Sequence, residues 1–288
     1  MIPGSFDYHR PKTLDEAVGL LSSLGEEARV VAGGHSLIPM MKLRMAVPEN
    51  LVDLQDIDAL RGIEIGPDSV AIGALTTQHE IIDSEELAAC CPILRETSLV
   101  IADPQVRYCG TLGGNVANGD PGNDMPAVMM ALDASYHLAG PQGSREVAAR
   151  EFYDAAYFTK LQDGEILTKV VFPRPAAGSG FAYEKQKRKI GDYATAAAAA
   201  IVTLEGGTCS AASISLTNLA DTPLHAPDAG AALVGTGVDA EAIAKAADAA
   251  KAITAPASDG RGPAEFRTHL AGVMVRRAIE RALARART

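Results

Sequence analysis

The amino-acid sequence predicts a chain of about two domains that mixes α-helices with β-strands. Its 288 residues exceed one average domain of roughly 150 residues. A hydrophobic content of 47% and a mean hydropathy of +0.06 are typical of compact globular proteins. Segments with the apolar period of helices alternate with short β-branched runs, up to a linker rich in Pro and Gly at residues 173–180. We therefore expect a domain boundary at this linker.

The charge balance argues against a polyanionic partner. The chain carries 26 Lys and Arg residues against 36 Asp and Glu residues, a formal net charge of −10. At long range this charge repels nucleic acids and anionic lipids. The longest strongly apolar run, residues 196–202, is far shorter than the about 20 residues that span a bilayer, and the first residues lack the apolar stretch of a signal peptide. We therefore expect a cytoplasmic protein that does not bind nucleic acid.

Side chains that bind metals are scattered along the sequence. Cys90, Cys91, Cys109 and Cys209 form no C-x-x-C pair, and the histidines show no H-E-x-x-H or comparable grouping. The adjacent cysteines are flanked by alanine, which favours free thiols on the side of a helix. The sequence therefore predicts no metal centre within this chain.

The first predicted helix begins at a capping box. Thr13 precedes Glu16 by three residues, so that its hydroxyl can accept from the backbone while Glu16 reaches back. Apolar residues follow at helical spacing, and Gly25 supplies a left-handed stop. A β-branched run at residues 28–32 then predicts a strand, which leads through a glycine-bearing loop into a short helix at residues 37–44.

The middle of the chain is predicted to alternate strands with helices in the same way. Short apolar runs bounded by turn residues predict strands, and longer periodic segments predict helices. The predicted strands are residues 51–53, 63–65, 70–73, 135–138 and 166–172. The predicted helices are residues 76–91, residues 92–100 and a helix opened by Pro126.

The Ala-rich segment beyond the linker is predicted to be a strand in spite of its helix propensity. Residues 195–204 lead toward the Gly206-Gly207 turn, and residues 213–216 continue beyond it, which favours a hairpin. Residues 240–253 and 263–286 have the apolar spacing of amphipathic helices. The arginines near the C terminus are better explained by a solvated helix face than by a polyanion site.

Two Gly-Gly motifs carry the clearest functional signal. The first comprises Ala32, Gly33, Gly34, His35 and Ser36, and the second comprises Thr111, Leu112, Gly113, Gly114 and Asn115. Glycine lets successive backbone N–H groups point toward one anion, and a following helix adds its positive end. Hydroxyl and nitrogen donors beside the glycines can neutralise a diphosphate without a lysine. We therefore expect both motifs to meet at one diphosphate, although a single Gly-Gly pair is most often a simple turn.

Two common nucleotide sites do not fit these motifs. The GxxxxGK[ST] signature of phosphoryl-transfer P-loops is absent, and neither motif has the GxGxxG spacing of a Rossmann turn. Asp124 follows the second motif in a polar loop, where its carboxylate can either accept from ribose hydroxyls or cap the helix before Pro126. The sequence leaves both roles of Asp124 open.

The two motifs, in this order, resemble those of the FAD-binding subunits of the molybdenum hydroxylases, and within that family the flavin subunits of the aerobic carbon monoxide dehydrogenases. The similarity extends over essentially the whole chain, including residues 6–11, 166–173 and 183–193. It implies an α+β fold of the vanillyl-alcohol-oxidase (PCMH) type, with FAD between two subdomains and a smaller C-terminal α/β domain. The FAD-binding domain would be residues 1–177, with subdomains of about 1–55 and 56–177, and the C-terminal flavoprotein domain would be residues 178–288.

The resemblance also assigns residues to the cofactor. Residues 32–36 and 111–115 would hold the FAD diphosphate, and Asp124 would lie at the adenosine end. Leu167 and Lys185 are carried over as further FAD-binding residues.

The flavin ring would have neighbours of its own. Tyr193 would either restrict access to the reactive edge of the ring or anchor a loop. Ile101 and Ala102 would line the ring. Some relatives carry a lysine where this chain has Thr195, which puts ring contacts at that position in doubt. No catalytic residue and no metal ligand is assigned to this chain.

The function implied by the resemblance is electron transfer. FAD would collect electrons from the two [2Fe-2S] clusters of a small subunit, supplied by a molybdopterin-containing large subunit, and pass them to a respiratory quinone or cytochrome. The implied assembly is a dimer of heterotrimers, docked at most peripherally on the inner face of the membrane. Two alternatives stay open. One is a stand-alone NADPH-dependent flavin oxidoreductase similar to UDP-N-acetylenolpyruvoylglucosamine reductase, and the other is a scaffold without a cofactor.

Overall fold

Three parallel strands near the N terminus form the first sheet. The computed structural model describes residues 2–287. Strand β1 (Asp7–His9) pairs with β3 (Asn50–Asp53), which also pairs with β2 (Ala28–Val31). Helix α1 (Leu14–Leu24) connects β1 to β2, and helix α2 (Leu37–Lys42) connects β2 to β3. The first glycine motif therefore lies where β2 gives way to α2.

The predicted Thr13 cap at the start of α1 is confirmed, but Glu16 reaches back to Lys12 rather than to Thr13, so the capping box is incomplete. The Thr13 hydroxyl accepts a hydrogen bond from the Glu16 N–H at 3.2 Å, and the Glu16 carboxylate accepts from the Lys12 N–H at 2.8 Å. The helix ends at Leu24, where Gly25 takes a φ of +59°. The bond to Thr13 satisfies an N–H group that the first helical turn leaves unpaired.

A larger antiparallel sheet and six short helices form the middle of the molecule. The strands are β4 (Ile63–Ile65), β5 (Ser69–Gly73), β6 (Ser135–Gly140), β7 (Gly143–Ala148), β8 (Tyr153–Ala155), β9 (Phe158–Thr159) and β10 (Ile166–Pro173). The helices are α3 (Gln78–Asp83), α4 (Glu85–Cys90), α5 (Pro92–Val100), α6 (Pro104–Cys109), α7 (Leu112–Ala117) and α8 (Asp124–Ala131). The sheet has the order β4-β5-β10-β6-β7, whereas β8 and β9 pair only with each other.

Two predicted helices differ from the observed ones. The helix expected over residues 76–91 is divided at Ser84, whose N–H closes α3 and whose hydroxyl caps α4. The helix expected to open at Pro126 begins earlier, at Asp124, so that Pro126 lies within its first turn. All eight residues of α8 are buried, because the helix is enclosed between the central sheet and the strands that follow the linker.

An antiparallel sheet covered by helices forms the C-terminal part. Its strands, paired in chain order, are β11 (Ser179–Gln186), β12 (Ala196–Glu205), β13 (Thr208–Thr217) and β14 (Leu224–His225). Its helices are α9 (Pro227–Ala231), α10 (Ala240–Ala252) and α11 (Ala264–Ala286). The predicted hairpin, the predicted amphipathic helices and the mixed α+β class are confirmed. Within residues 2–287, no helix combines the length and the apolar character that a membrane crossing requires.

The Ala-rich strand β12 is buried on both faces. The even-numbered alanines of residues 196–200 pack in a core with α10 and α11, and the odd-numbered ones pack in the core of the central sheet and α8. Helix α11 lies so close to β11 that a Cβ at Gly180 would meet the Ala282 carbonyl oxygen at 1.9 Å. Small side chains thus let one strand contribute to two cores, and this strand alternation overrides the helix propensity of alanine.

Candidate functional site

The two glycine motifs lie against each other. Helix α6 brings the backbone of Cys109 and Gly110 to the first motif, and a Cβ placed on Gly33 would lie 2.2 Å from the Cys109 carbonyl oxygen. Gly34 takes a φ of +74°, a conformation that side chains other than glycine rarely adopt. The motifs, distant in sequence, therefore form one wall of backbone in which Gly33 has no room for a side chain.

The first motif presents free backbone donors. In the described part of the chain, the N–H groups of Gly33, Gly34, His35 and Ser36 have no hydrogen-bond partner in the protein. Ser36 is the N-cap residue of α2, and its side chain makes no capping bond. A row of unpaired N–H groups at the start of a helix favours an anion such as a phosphate.

The second motif is organised differently from the prediction, because it is the first turn of a helix rather than a loop. Thr111 is the N-cap residue of α7, and its Oγ1 accepts from the Gly114 N–H at 3.0 Å. The N–H groups of Leu112 and Gly113 donate to the carbonyl oxygens of Thr76 and Ala74, both at 2.8 Å. The expectation that this motif also offers several free N–H groups is therefore wrong, since these donors hold the motif in place.

A cavity of about 630 Å³ opens between the two motifs and the end of β11, where Lys185 lies. Most of the residues assigned to the cofactor from the sequence line it. They are Ala32, Gly33, Gly34, His35, Ser36, Thr111, Gly114, Asn115, Asp124, Lys185 and Tyr193. Ile101 and Ala102 also line this cavity, as expected for neighbours of a ring.

Three of the assigned residues lie outside the cavity lining. Leu112 is fully buried in the core, and Gly113 turns toward Ala74, where an added Cβ would meet the Ala74 Cβ at 2.5 Å. Leu167 lies on β10 opposite Leu138 of β6 and is 5% exposed in the same core. The structure therefore gives these residues a packing role behind the cavity wall.

Asp124 is not the residue that caps α8, which was one of its two expected roles. Asn123 is the N-cap residue of α8, and Asp124 is the first residue of the helix. One Asp124 carboxylate oxygen accepts from the Tyr183 hydroxyl at 2.6 Å, and the other pairs with the Lys185 ammonium at 2.7 Å. Burial, followed by the nearby Asp124 charge, raises the pKa of Tyr183 well above its usual value, so this phenol remains a donor. Asp124 therefore lies at the same end of the cavity as Lys185.

Asn115 also supports the start of α8. Its side-chain oxygen accepts from the Met125 N–H at 3.2 Å, and its carbonyl oxygen accepts from Asn123 Nδ2 at 2.7 Å. With the side-chain oxygen engaged, the amide nitrogen of Asn115 is the group left to donate toward the cavity.

Tyr193 anchors its loop, which is one of the two roles considered for it. Its ring is 40% exposed, packs against Gly122 and lies 5.8 Å from the Arg261 guanidinium carbon, a cation–π contact that anchors the loop. Burial and the negative charge of Asp120 raise the pKa of Tyr193 above its usual value, so it is uncharged at neutral pH. Thr195, by contrast, is buried outside the cavity lining.

Gln78 and Tyr157 are among the lining residues that were not assigned from the sequence. Gln78 is the first residue of α3, and Tyr157 lies in the turn between β8 and β9 with a φ of +65°. The capping box formed by Thr77 and Glu80 was a signal that Gln78 begins a helix. No comparable sequence pattern marks Tyr157.

The residues around the cavity fit a dinucleotide cofactor. The free N–H row matches a diphosphate, and the volume falls within the range of roughly 300–1,000 Å³ common for ligand sites. Within residues 2–287, no group of three or more His, Cys, Asp or Glu side chains is placed to hold a metal ion. The free N–H row and the volume are thus the features that fit an organic ligand carrying a diphosphate.

The comparisons with known proteins agree with this geometry. Residues 4–175 match the family model of the FAD binding domain in molybdopterin dehydrogenase, and residues 181–282 match the CO dehydrogenase flavoprotein C-terminal domain. The carbon monoxide dehydrogenase medium chain of Afipia carboxidovorans is 64% identical over 287 residues, which cover 100% of both chains.

Two solved structures show the same fold over the whole chain. Reconstituted CO dehydrogenase from Oligotropha carboxidovorans has a chain that superposes with a TM-score of 0.97 at 65% identity, covering 99% of this chain and 100% of that one. A chain of quinoline 2-oxidoreductase from Pseudomonas putida 86 superposes with a TM-score of 0.94 at 35% identity, and the match covers 100% of this chain and 100% of that one. The chain therefore belongs to the family of FAD-binding domains in molybdopterin dehydrogenases, and FAD is its cofactor.

Proposed function

We propose that the chain is the FAD-carrying electron-transfer subunit of a carbon monoxide dehydrogenase. In this proposal it takes electrons from the [2Fe-2S] clusters of a small subunit and passes them to an external respiratory acceptor, a quinone or a cytochrome. The observation that carries the proposal is the row of free N–H groups at residues 33–36, on the wall of a dinucleotide-sized cavity that the second glycine motif also lines. The full-length similarity to carbon monoxide dehydrogenase medium chains supports the choice of enzyme.

The diphosphate of FAD would be held mainly by backbone. Gly33, Gly34, His35 and Ser36 would donate their N–H groups, while Thr111 would keep the facing helix end in place. Because Gly33 has no room for a side chain, the two backbone segments can approach the ligand together. Neutral dipoles would thus take the place of a lysine at the phosphates.

The remaining residues would hold the rest of the cofactor. Asp124 fixes Lys185, so the ammonium keeps one position at the cavity wall. Tyr193 would limit the access of water and dioxygen to the ring from the exposed side. FAD, when bound, accepts and releases electrons either singly or in pairs, and the protein sets its position and electrostatic surroundings.

The proposal assigns the metal centres to partner chains. A molybdopterin-containing large subunit would oxidise carbon monoxide, and an iron–sulfur small subunit would relay the electrons, in a dimer of heterotrimers. The name "medium chain" carried by the relatives supports this three-chain assembly. The complex would lie in the cytoplasm, at most peripherally on the inner face of the membrane.

The same proposal divides the chain at the linker. Residues 1–177, with subdomains of about 1–55 and 56–177, would bind FAD, and residues 178–288 would cover the cavity from the side of β11. The two family matches, which end at residue 175 and begin at residue 181, support this division.

Purification of the chain from its natural source tests the proposal. We expect it to copurify with two further polypeptides, with molybdenum, iron and FAD, and with carbon monoxide oxidation that the isolated chain lacks. The measurements are metal analysis, flavin content per chain and activity of the complex. A lone yellow protein that turns over NADPH would instead support a stand-alone flavin oxidoreductase, and a colourless protein indifferent to FAD would contradict both.

A further inference from the structure

Gln78 lies at the junction of the two glycine motifs. It begins α3, and its backbone N–H donates to the Gly110 carbonyl oxygen at 2.9 Å, beside the point where Gly33 touches Cys109. The residue is 1% exposed and belongs to the cavity lining. The residue is therefore held at the cavity wall by backbone contacts that do not depend on its side chain.

Only one of the two polar atoms of the Gln78 carboxamide has a hydrogen-bond partner. Its Oε1 accepts from the Ser98 hydroxyl at 2.9 Å. Its Nε2 is buried and has no hydrogen-bond partner in the protein. A buried N–H donor without a partner bears its full desolvation penalty, so native proteins rarely leave one without a reason.

The other unpaired buried side-chain atoms in the described part of the chain lie elsewhere. They belong to Thr97, Ser213, Ser215 and Arg261. None of these residues lines the cavity, whereas Gln78 does. Among these groups, Gln78 is thus the one whose missing partner can come from a bound ligand.

The charges nearby indicate which part of a ligand it meets. Lys185 is engaged by the Asp124 carboxylate, and the Arg29 guanidinium donates to the carbonyl oxygens of Glu26 and Ala28. A diphosphate at the glycine motifs would therefore have neutral donors as its main partners. A side-chain amide beside the free N–H row supplies one more such donor.

We propose that Gln78 is a further cofactor-binding residue, whose Nε2–H donates to the diphosphate of FAD. This inference rests on the proposed function, because it requires the dinucleotide to occupy this cavity. Gln78 takes no part in electron transfer itself. Its role is to bind one phosphate oxygen while Ser98 holds its carboxamide in the required orientation.

The test measures the binding of three ligands to the flavin-free protein. The protein is the full chain, together with any polypeptides that copurify with it. Gln78→Met keeps the volume and removes the amide, and Gln78→Glu keeps the acceptor for Ser98 but replaces the donor with an acid. FAD and ADP carry the diphosphate, and riboflavin does not. We expect the Kd for FAD and for ADP to rise about tenfold or more in both variants, with the Kd for riboflavin unchanged.

A matched control separates binding from packing. Thr97→Val also removes an unpaired buried polar atom one residue from Ser98, but away from the cavity, so it should leave all three Kd values unchanged. Melting temperatures of the flavin-free proteins report any structural effect. If Gln78→Glu fails to fold, the neutral Gln78→Met variant still decides the outcome.

The possible outcomes distinguish this inference from the proposed function. If the wild-type chain binds no FAD, the proposed function fails and the inference fails with it. If the wild type binds FAD and the Gln78 variants bind it equally well, only the inference is overturned. A weakened riboflavin complex with an unchanged ADP complex would also overturn it, because the amide would then face the ring rather than the diphosphate.

Discussion

Asp124 and Lys185 form a buried ion pair that joins the central helices to the C-terminal sheet. The Lys185 ammonium lies 2.7 Å from the Asp124 carboxylate, and the two side chains are 3% and 5% exposed. Asp124 begins α8, and Lys185 lies on β11. Because both charges are removed from water, each is stable only while the other is present.

Removal of one partner of this ion pair should therefore lower the free energy of unfolding more than removal of both partners. Lys185→Met leaves the Asp124 carboxylate buried without a cation, and we expect it to lower the free energy of unfolding by about 3–5 kcal/mol. The double variant Lys185→Met with Asp124→Asn should recover much of this loss, because no unpaired charge remains. Urea unfolding of the four proteins gives the coupling energy of the pair.

An exposed ion pair provides the control for this cycle. Lys245 and Glu241 lie 2.8 Å apart on α10, with side chains 67% and 78% exposed. Lys245→Met should leave the free energy of unfolding nearly unchanged, because water screens this pair. Strictly additive losses at Asp124 and Lys185 would show that the buried contact contributes nothing to stability.

The close approach at Gly33 predicts a defect in flavin binding. Gly33→Ala would place a Cβ 2.2 Å from the Cys109 carbonyl oxygen, so the first motif must move away from α6. We expect the variant to retain at least about tenfold less FAD, because the free N–H row loses its position. FAD per chain after gel filtration measures the effect.

Gly19 is the matched glycine for this experiment. It lies within α1, and a Cβ there would meet no atom within 4 Å. Gly19→Ala should raise the free energy of unfolding by up to about 1 kcal/mol through helix propensity and leave the FAD content unchanged. If the Gly33→Ala protein retained as much FAD as the wild type, the close contact between Gly33 and Cys109 would not be needed for flavin binding.

The cap of α7 allows the effect of a lost helix cap on stability to be distinguished from its effect on FAD binding. Thr111→Val removes the hydroxyl that accepts from the Gly114 N–H, and Thr13→Val removes the corresponding acceptor for the Glu16 N–H. Each variant should lose about 1 kcal/mol of unfolding free energy. Only Thr111 lines the cavity, so only its substitution should weaken FAD binding, as titration with FAD would measure. Equal FAD affinities in the two variants would contradict this assignment.

Local signals explain which parts of the fold the sequence predicted. The Thr13 cap of α1 and the Gly206-Gly207 turn act over a few neighbouring residues, and both were predicted correctly. Strand β1 has only three residues and gains its stability by pairing with β3, far along the chain. Such a strand has no period of its own to detect.

The candidate site shows the same division between local and long-range signals. The first glycine motif was predicted because a strand, two glycines and a helix follow one another directly. The second motif was taken for a loop because the acceptors of its N–H groups, at Ala74 and Thr76, lie far from it in sequence. Likewise, no pattern around Asp124 reveals its partner Lys185, which lies 61 residues away.

Tyr183 predicts how stability changes at alkaline pH. Burial first, and the Asp124 charge second, raise the pKa of its phenol well above the usual value near 10. Above about pH 10 the unfolded chain loses this proton while the folded chain keeps it, so the free energy of unfolding falls as pH rises. One such group contributes a slope of about 1.4 kcal/mol per pH unit, and below about pH 10 it contributes none.

Tyr183→Phe should remove that contribution. We expect its plot of unfolding free energy against pH to be flatter than that of the wild type above about pH 10, by about 1.4 kcal/mol per pH unit, and parallel to it below. Urea unfolding at a series of pH values measures both regions, and Tyr108→Phe, at a tyrosine that is 59% exposed, serves as the control. The contradicting result would be parallel curves for Tyr183→Phe and wild type across the alkaline range. The Tyr183 phenol would then ionise as readily in the folded chain as in the unfolded one. In that case the buried hydrogen bond to Asp124 would not hold the phenol proton.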